Sequence, residues 1–239
     1  MAAKPRLYCA PRLATGQQLA LSTQAARHVQ VLRLQPGGTV TLFDGGGGEF
    51  AATITRMGRS EVLVLVGAHT AVEREAAVKI HLALGVPANE RMDWLVEKAT
   101  ELGVASIQPL LTERSVLRVR GERADKKRDH WQAIVAAACE QSGRNQLAII
   151  HDILPLSDWL RTLAVGRRLL LSLQHDAAGL SGLAGAQETT LLSGPEGGLT
   201  STEERESLAA GFTPVSLGPR TLRAETAPLA ALAALTLGA

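Results

Sequence analysis

Two glycine-marked junctions near the carboxyl end constrain this chain most. Thr190-Leu191-Leu192 runs into Ser193-Gly194-Pro195-Glu196-Gly197-Gly198, and Pro214-Val215-Ser216-Leu217 runs into Gly218-Pro219-Arg220-Thr221-Leu222-Arg223-Ala224-Glu225-Thr226-Ala227. Each loop follows a short β-type apolar segment and precedes a helical one. Glycine lets the main chain approach a ligand closely, and such loops fall at the carboxyl ends of strands, where open α/β sheets bind ligands.

The pattern upstream agrees. Lys79 to Leu84 reads as a buried strand, and Asn89 can cap a helix with Met92, Leu95, Val96, Ala99 and Leu102 on its apolar face. Gly103 suits the stop of that helix. A strand follows at Ser106 to Leu111, then a long helix from about Asp125 to Ser142 with Trp131, Ile134, Val135 and Ala138 inward, then a strand at Leu169 to Leu173. Thr200 with Glu203, or Ser201 with Glu204, has capping-box spacing, and Pro228 falls near the first turn of a last helix. Alternating strands and helices predict a mostly parallel sheet covered by helices, an α/β fold.

Residues 1 to about 70 read differently. Val40 to Phe43 and Phe50 to Ile54 flank a glycine-rich hairpin loop, Glu61 to Val66 is a third strand, and Thr23 to Leu34 can form one short helix. These predict a small barrel. The four-glycine run lacks both the Gly-x-Gly-x-x-Gly and the Gly-Lys-Ser/Thr patterns of nucleotide loops. The expected division is therefore 1–70 and 71–239.

Charge separates the same two parts. The first 70 residues carry seven basic and three acidic residues, the remainder eighteen and twenty. A basic module suggests an anionic partner, with a solvated basic surface as the plain alternative. Only 3% of the chain is aromatic, which disfavours an aromatic platform as the mode of RNA binding. Cys9 and Cys139 lie far apart in no metal-ligand spacing and read as reduced thiols. No apolar run reaches transmembrane length and no signal segment is evident, so a cytoplasmic protein without a membrane role is expected. Arg114 to Arg128 is charge-dense: an exposed loop and helix start, or an edge that contacts phosphates.

The whole chain resembles the RsmE family, the small-subunit ribosomal RNA uridine-N3 methyltransferases of the SPOUT class. The resemblance rests on Val31 to Leu34, Leu42 to Gly45, Met92 to Gly103, Glu113-Arg114-Ser115, Glu140 to Arg144, Gly194 to Gly198 and the Leu217 to Ala227 run. Arg6-Leu7-Tyr8 departs from the usual Arg followed by two phenylalanines, and Ala26-Arg27-His28 from a more acidic stretch. The resemblance implies a PUA-like RNA-binding β-barrel followed by a SPOUT domain with a carboxyl-terminal trefoil knot. It also implies a homodimer and S-adenosylmethionine as methyl donor. The implied substrate is N3 of a specific uridine of 16S ribosomal RNA, near the decoding centre and within the assembled small subunit.

Methyl transfer to uracil N3 needs a positioned donor, a positioned base and loss of the N3 proton; positioning alone can supply about 7 kcal/mol, and no metal is required. The donor site is assigned to Leu192, Ser193, Gly194, Pro195, Glu196, Gly197, Leu217, Gly218, Leu222 and Arg223. Arg220 is assigned to stabilise the uracilate or grip a phosphate, and Glu225 to orient the base or assist deprotonation. An ion pair that only fixes the loop is the alternative for these charges. Arg6, Arg12, Arg33, Arg114, Gln141 and Arg144 are assigned to RNA, and His28 and His81 are ordinary histidines. Two other functions remain open: an RNA-binding assembly protein that keeps the fold without catalysis, and a methyltransferase of the same class acting on another base or a ribose hydroxyl.

Overall fold

The computed structural model describes residues 4–10, 12–59, 61–162, 166–173, 177–180 and 187–237. It divides into two compact units, Met1–Glu75 with Ala136–Leu147, and Ala76–Val135 with Ala148–Ala239.

In the first unit β1 (Arg6–Tyr8) lies parallel to β3 (Thr39–Phe43). β3 pairs antiparallel with β4 (Glu49–Met57), β4 with β5 (Val62–Thr70), and β5 with β2 (Gln18–Ala20). Alternation along β4 buries Phe50, Ala52 and Ile54, the period of a strand with one face on the core. Two register shifts in the β4–β5 ladder bend the sheet, as bulges do. Helix α1 (Thr23–Val31) is capped by Ser22, whose Oγ accepts the Ala25 N–H, and packs Ala25, Ala26 and Val29 onto the sheet's core. It ends earlier than expected because Arg33 turns into the left-handed region at φ 54°.

The second unit is a parallel sheet in the order β11 (Ala178–Gly179), β13 (Thr213–Ser216), β10 (Arg167–Leu171), β12 (Thr189–Ser193), β6 (Ile80–Gly85), β7 (Ser106–Leu111) and β8 (Ile149–Ile150), with β9 (Leu154–Pro155) also on β7. β6 and β7 are buried almost without alternation, as strands covered on both faces are. Among the described residues, five helices serve this sheet: α2 (Asn89–Glu101), α3 (Glu122–Ser142), α4 (Leu156–Leu160), α5 (Ser201–Ala209) and α6 (Thr226–Thr236). The capping box of α5 joins Thr200 and Glu203. α6 buries Pro228, Leu229, Ala231, Leu232 and Leu235. Among the described residues no helix is long and apolar enough to cross a membrane.

One expectation needs correction. The cap of α2 is Ala88, without a side-chain cap bond, and Asn89 is the first helical residue. The carboxylate of Glu196 accepts the Ala88 N–H at 3.0 Å, so a distant loop satisfies the start of the helix. By compactness, the first unit extends to Glu75 and takes in residues 136–147. Hydrogen bonds tie that segment to the first unit: Tyr8 N–H to Glu140 Oε1 at 2.8 Å, Arg6 Nη2 to Asn145 Oδ1 at 2.6 Å, and Asn145 Nδ2 to the Val72 carbonyl at 2.6 Å. Helix α3 therefore belongs to both units, a division no local sequence signal marks.

Candidate active site

The carboxyl ends of β10, β12 and β13, neighbours in the sheet, open on one cavity of about 310 Å3. β12 lies on one side of β10 and β13 on the other, so the loops that follow these two strands diverge above β10. Such a divergence leaves a crevice at the strand ends, and this volume falls in the usual range for small-molecule sites, roughly 300–1,000 Å3.

Backbone supplies much of the wall. A Cβ on Gly194 would stand 2.8 Å from the Leu199 nitrogen and 2.9 Å from the Gly198 carbonyl carbon, so only glycine lets this loop fold onto itself. Gly218 has φ 101°, a conformation other residues rarely adopt. Its N–H donates to Ser216 Oγ at 3.2 Å.

Three side chains brace the first loop. Glu196 accepts from Ala88 N–H and from Arg91 Nη1 at 3.2 Å, which fastens the loop to the start of α2. Arg114 donates from Nη1 to the Gly197 carbonyl at 2.7 Å. Glu203 accepts the Thr200 N–H at 2.8 Å and the Glu113 N–H at 2.7 Å, which fastens the start of α5 to the segment carrying Arg114.

Of the residues expected to hold the donor, Ser193, Gly194, Pro195, Glu196, Gly197, Leu217, Gly218 and Leu222 line this cavity, and Arg220 lines it with them. Leu192 does not. Its side chain is fully buried in the core with Ala83, Leu110 and Leu170, which leaves only its main chain near the site. Arg223 and Glu225 line a separate cleft of about 300 Å3 with Glu90, Arg91, Trp94 and Thr226. Successive residues of one segment thus face two spaces: Leu222, Ala224 and Ala227 the cavity, Arg223, Glu225 and Thr226 the cleft. Glu225 is 8% exposed, and its Oε2 is buried without a hydrogen-bond partner. Such a group costs about 1–3 kcal/mol, more when charged, an expense characteristic of functional positions.

The residues assigned to RNA separate by environment. Arg12, Arg33 and Gln141 are exposed. Arg6 is not: it pairs with Glu49, donates to Asn145 and lies over the Phe43 ring at 5.0 Å. Arg144 is 4% exposed and pairs with Glu75. Burial pushes the Glu49 carboxyl up, but hydrogen bonds from Arg74 and Arg6 outweigh it and leave the group below its ordinary value. In the charge-dense run, Arg118, Arg120 and Arg123 border a cavity of about 700 Å3, faced by Glu113, Glu203 and Glu206. Site residues without a sequence signal of their own include Gly85, which packs under Pro195, and Leu171-Ser172-Leu173 at the end of β10.

An RNA methyltransferase domain model matches residues 74–236, and an RNA methyltransferase PUA domain model matches residues 21–67. The ribosomal RNA small subunit methyltransferase E of Bacillus subtilis is 32% identical over 218 residues, 87% of this chain and 85% of the relative. The chain belongs to the ribosomal RNA small subunit methyltransferase E family. Its relative from Synechocystis is 35% identical over 95% of this chain and 76% of the relative. Among solved structures, a Legionella pneumophila methyltransferase with bound SAM superposes with a TM-score of 0.93 at 37% identity, covering 99% of this chain and 98% of the other. The family member from Neisseria gonorrhoeae bound to S-adenosyl methionine gives 0.90 at 35% identity, covering 98% of both chains. Membership places a PUA domain before the parallel α/β sheet and accounts for the two compact units.

Proposed function

We propose that this chain transfers a methyl group from S-adenosylmethionine to N3 of a specific uridine in 16S ribosomal RNA, near the decoding centre of the small subunit. One observation carries the donor assignment: the two glycine loops enclose a cavity of ligand size whose walls leave no room for side chains at Gly194. The relatives from Legionella pneumophila and Neisseria gonorrhoeae, solved with this donor bound, support it.

The residues fit the group. The Ser193 to Gly197 and Leu217 to Leu222 main chains offer N–H and C=O groups to the adenine and amino-acid ends, and Leu217 and Leu222 give apolar contact. When bound, S-adenosylmethionine supplies an electrophilic methyl on a sulfonium. The chain's task is to hold the acceptor nitrogen in line with it and to manage one proton. Arg220, in the cavity wall, stabilises negative charge on the uracil as the N3 proton leaves, as a charged donor does in a site shielded from water. Glu225, which lines the neighbouring cleft, orients the base or assists its deprotonation.

The same family reading carries the remaining assignments. The exposed Arg12, Arg33 and Gln141 contact RNA phosphates, the two glycine loops belong to a trefoil knot, and the chain works as a cytoplasmic homodimer on the assembled small subunit. Arg6 and Arg144 support the fold of the first unit and leave direct contact to the others.

Two measurements test the function. Calorimetry with S-adenosylmethionine is expected to show saturable binding without RNA. Mass spectrometry of 16S ribosomal RNA nucleosides from a deletion strain is expected to show loss of 3-methyluridine. Absence of donor binding removes the methyltransferase assignment; loss of a different methylated nucleoside keeps the enzyme and changes its acceptor.

A further inference from the structure

Arg118, Arg120 and Arg123 belong to a charged run that the proposed transfer leaves without a task. They border the cavity of about 700 Å3 at the carboxyl end of β7 and share its lining with Glu113, Glu203 and Glu206. The rest of the lining is largely apolar and includes Leu111, Val119, Pro155 and Leu156. Two of the six charges are engaged. Arg118 donates to the Thr112 carbonyl at 3.0 Å and to the Glu113 carbonyl at 2.6 Å, and Glu203 accepts the Thr200 and Glu113 N–H groups. Arg120, Arg123, Glu113 and Glu206 have no side-chain partner among the described residues.

We infer that this cavity is the seat of a guanine of the RNA, a base that lies within a few nucleotides of the methylated uridine. The inference rests on the proposed methyl transfer and deepens it by naming a neighbouring base that sets the register. Two guanidiniums and two carboxylates that do not pair with each other suit an occupant with donors and acceptors side by side. Guanine has both. Its N1–H and N2 amino group adjoin on one edge and match a carboxylate, while O6 and N7 adjoin on the next and take an arginine bidentately. Adenine would set its N1 lone pair against the carboxylate, and uracil and cytosine have no N7. A phosphate alone would meet the carboxylates as like charges. The apolar lining can cover the faces of the ring, so no aromatic platform is needed.

The cavity stands within reach of the glycine-loop cavity. Consecutive residues divide between the two: Glu113 and Glu203 line the one, Arg114 and Glu204 the other. Both open at the carboxyl ends of strands of one sheet, where β7 lies two strands from β12, about 10 Å at about 4.8 Å per strand. A few nucleotides span that distance. The joining segment is fixed, since Arg114 holds the Gly197 carbonyl and Ser115 Oγ closes the turn onto Thr112. α4 and α5, which border the cavity, pack on each other, and their core cluster takes in Ala83, Leu170 and Leu192. Among the described residues none of α2 or α6 belongs to that cluster. The cavity therefore lies away from the face that α2 and α6 share, and a second copy seated on that face leaves it open.

The test uses the full chain and fluorescent single-stranded RNAs of cytidine that hold one uridine and one guanosine, the guanosine placed in turn at each of the three positions on either side. One of these positions should bind about five- to a hundredfold more tightly than the strand without guanosine, the range of one bidentate base contact. Inosine at that position, which lacks the N2 amino group, should lose part of the gain, and adenosine all of it. Glu113→Ala combined with Glu206→Ala should lose the preference for guanosine with S-adenosylmethionine binding unchanged. A general field effect has the opposite sign, because removing two negative charges strengthens binding to every RNA. With small subunits from a deletion strain as substrate, the same double variant should raise KM by a similar factor and leave kcat near that of the wild type.

Guanosine that tightens binding at no position overturns the inference, and so does adenosine that binds as well as guanosine, or a double variant that keeps the preference. A double variant that sediments as a smaller species than the wild type also overturns it, since a second copy then fills the cavity. If the wild type forms 3-methyluridine and the double variant does so with unchanged KM, the guanine seat falls and the methyl transfer stands. If guanosine is preferred and the double variant loses that preference, but no 3-methyluridine forms, the transfer reading falls and the guanine seat stands.

Discussion

Gly85, the last residue of β6, lies so close beneath Pro195 of the first glycine loop that a Cβ at Gly85 would stand 2.5 Å from Pro195 Cδ and 2.7 Å from its nitrogen. Both neighbours are fixed by the proline ring and the main chain, so neither can rotate away. Gly85→Ala must therefore push the Ser193 to Gly197 loop out of place. The β6 strand itself has no other reason to fail, since alanine is tolerated in strands far better than displaced backbone. The expected result is a loss of S-adenosylmethionine affinity of at least tenfold, read by calorimetry, with a thermal midpoint lowered by only a few degrees, the scale of about 1 kcal/mol.

Arg114 reads in the sequence as an RNA contact, and its geometry gives it a second task. Its guanidinium donates to the Gly197 carbonyl at 2.7 Å while its stem packs against that glycine. Arg114→Ala should weaken donor binding by about fivefold, the worth of one hydrogen bond of about 1 kcal/mol. A pure phosphate contact would instead lower the salt slope of RNA binding by about one and leave the donor untouched. Calorimetry with the donor and a salt titration of RNA binding separate the two.

The sequence made the sheet legible where its signals are local. Buried strands announce themselves in Leu82-Ala83-Leu84 and Leu169-Leu170-Leu171, and the glycines of both loops mark where backbone bends against backbone. The side on which a charged residue lies is not local. Arg220, Arg223 and Glu225 sit within six positions, yet Arg220 faces the cavity and the other two face the cleft. That alternation follows from how the loop enters α6, where the Arg223 carbonyl accepts the Thr226 and Ala227 N–H groups. The partners of Arg6, Arg144 and Glu196 lie 43 to 139 positions away for Arg6, 69 for Arg144 and 105 to 108 for Glu196. No spacing rule reaches that far, so an arginine that looks free for RNA can be a strut.

Arg144 is the clearest such strut. Its side chain is 5% exposed and that of Glu75 is 21% exposed, and the guanidinium meets both carboxylate oxygens of Glu75. Removing one partner of a buried pair strands the other, at a cost of about 3–5 kcal/mol. Arg144→Ala should lower stability by about 3 kcal/mol in urea unfolding, allowing for the partial exposure of Glu75. Arg144→Ala with Glu75→Ala should cost less than the sum of the two single changes. Arg33→Ala, at an exposed position, should change stability by less than about 0.5 kcal/mol and lower RNA affinity instead.

The two cysteines give a test of the first unit's packing. Cys9 is 6% exposed and Cys139 is fully buried. Burial, reinforced by the nearby Glu140 and Asp44 carboxylates, pushes the Cys9 thiol up to about 11. The thiolate is the reactive species, and at pH 8 the folded chain holds almost none of it at Cys9. The unfolded chain, with an ordinary thiol near 8.5, holds much more. A raised thiol value means the folded state keeps its proton where the unfolded state loses it. The stability this contributes is full below about pH 8.5 and is lost as pH rises toward 11. A disulfide-exchange reagent at pH 8 should therefore titrate close to no thiol in the native protein and two in urea. Native reactivity should rise steeply only above about pH 10, together with the loss of stability. A native thiol that reacts within seconds at pH 8 would mean that β1 and the Cys9 that follows it open far more readily than their packing against Phe43 and Glu140 allows.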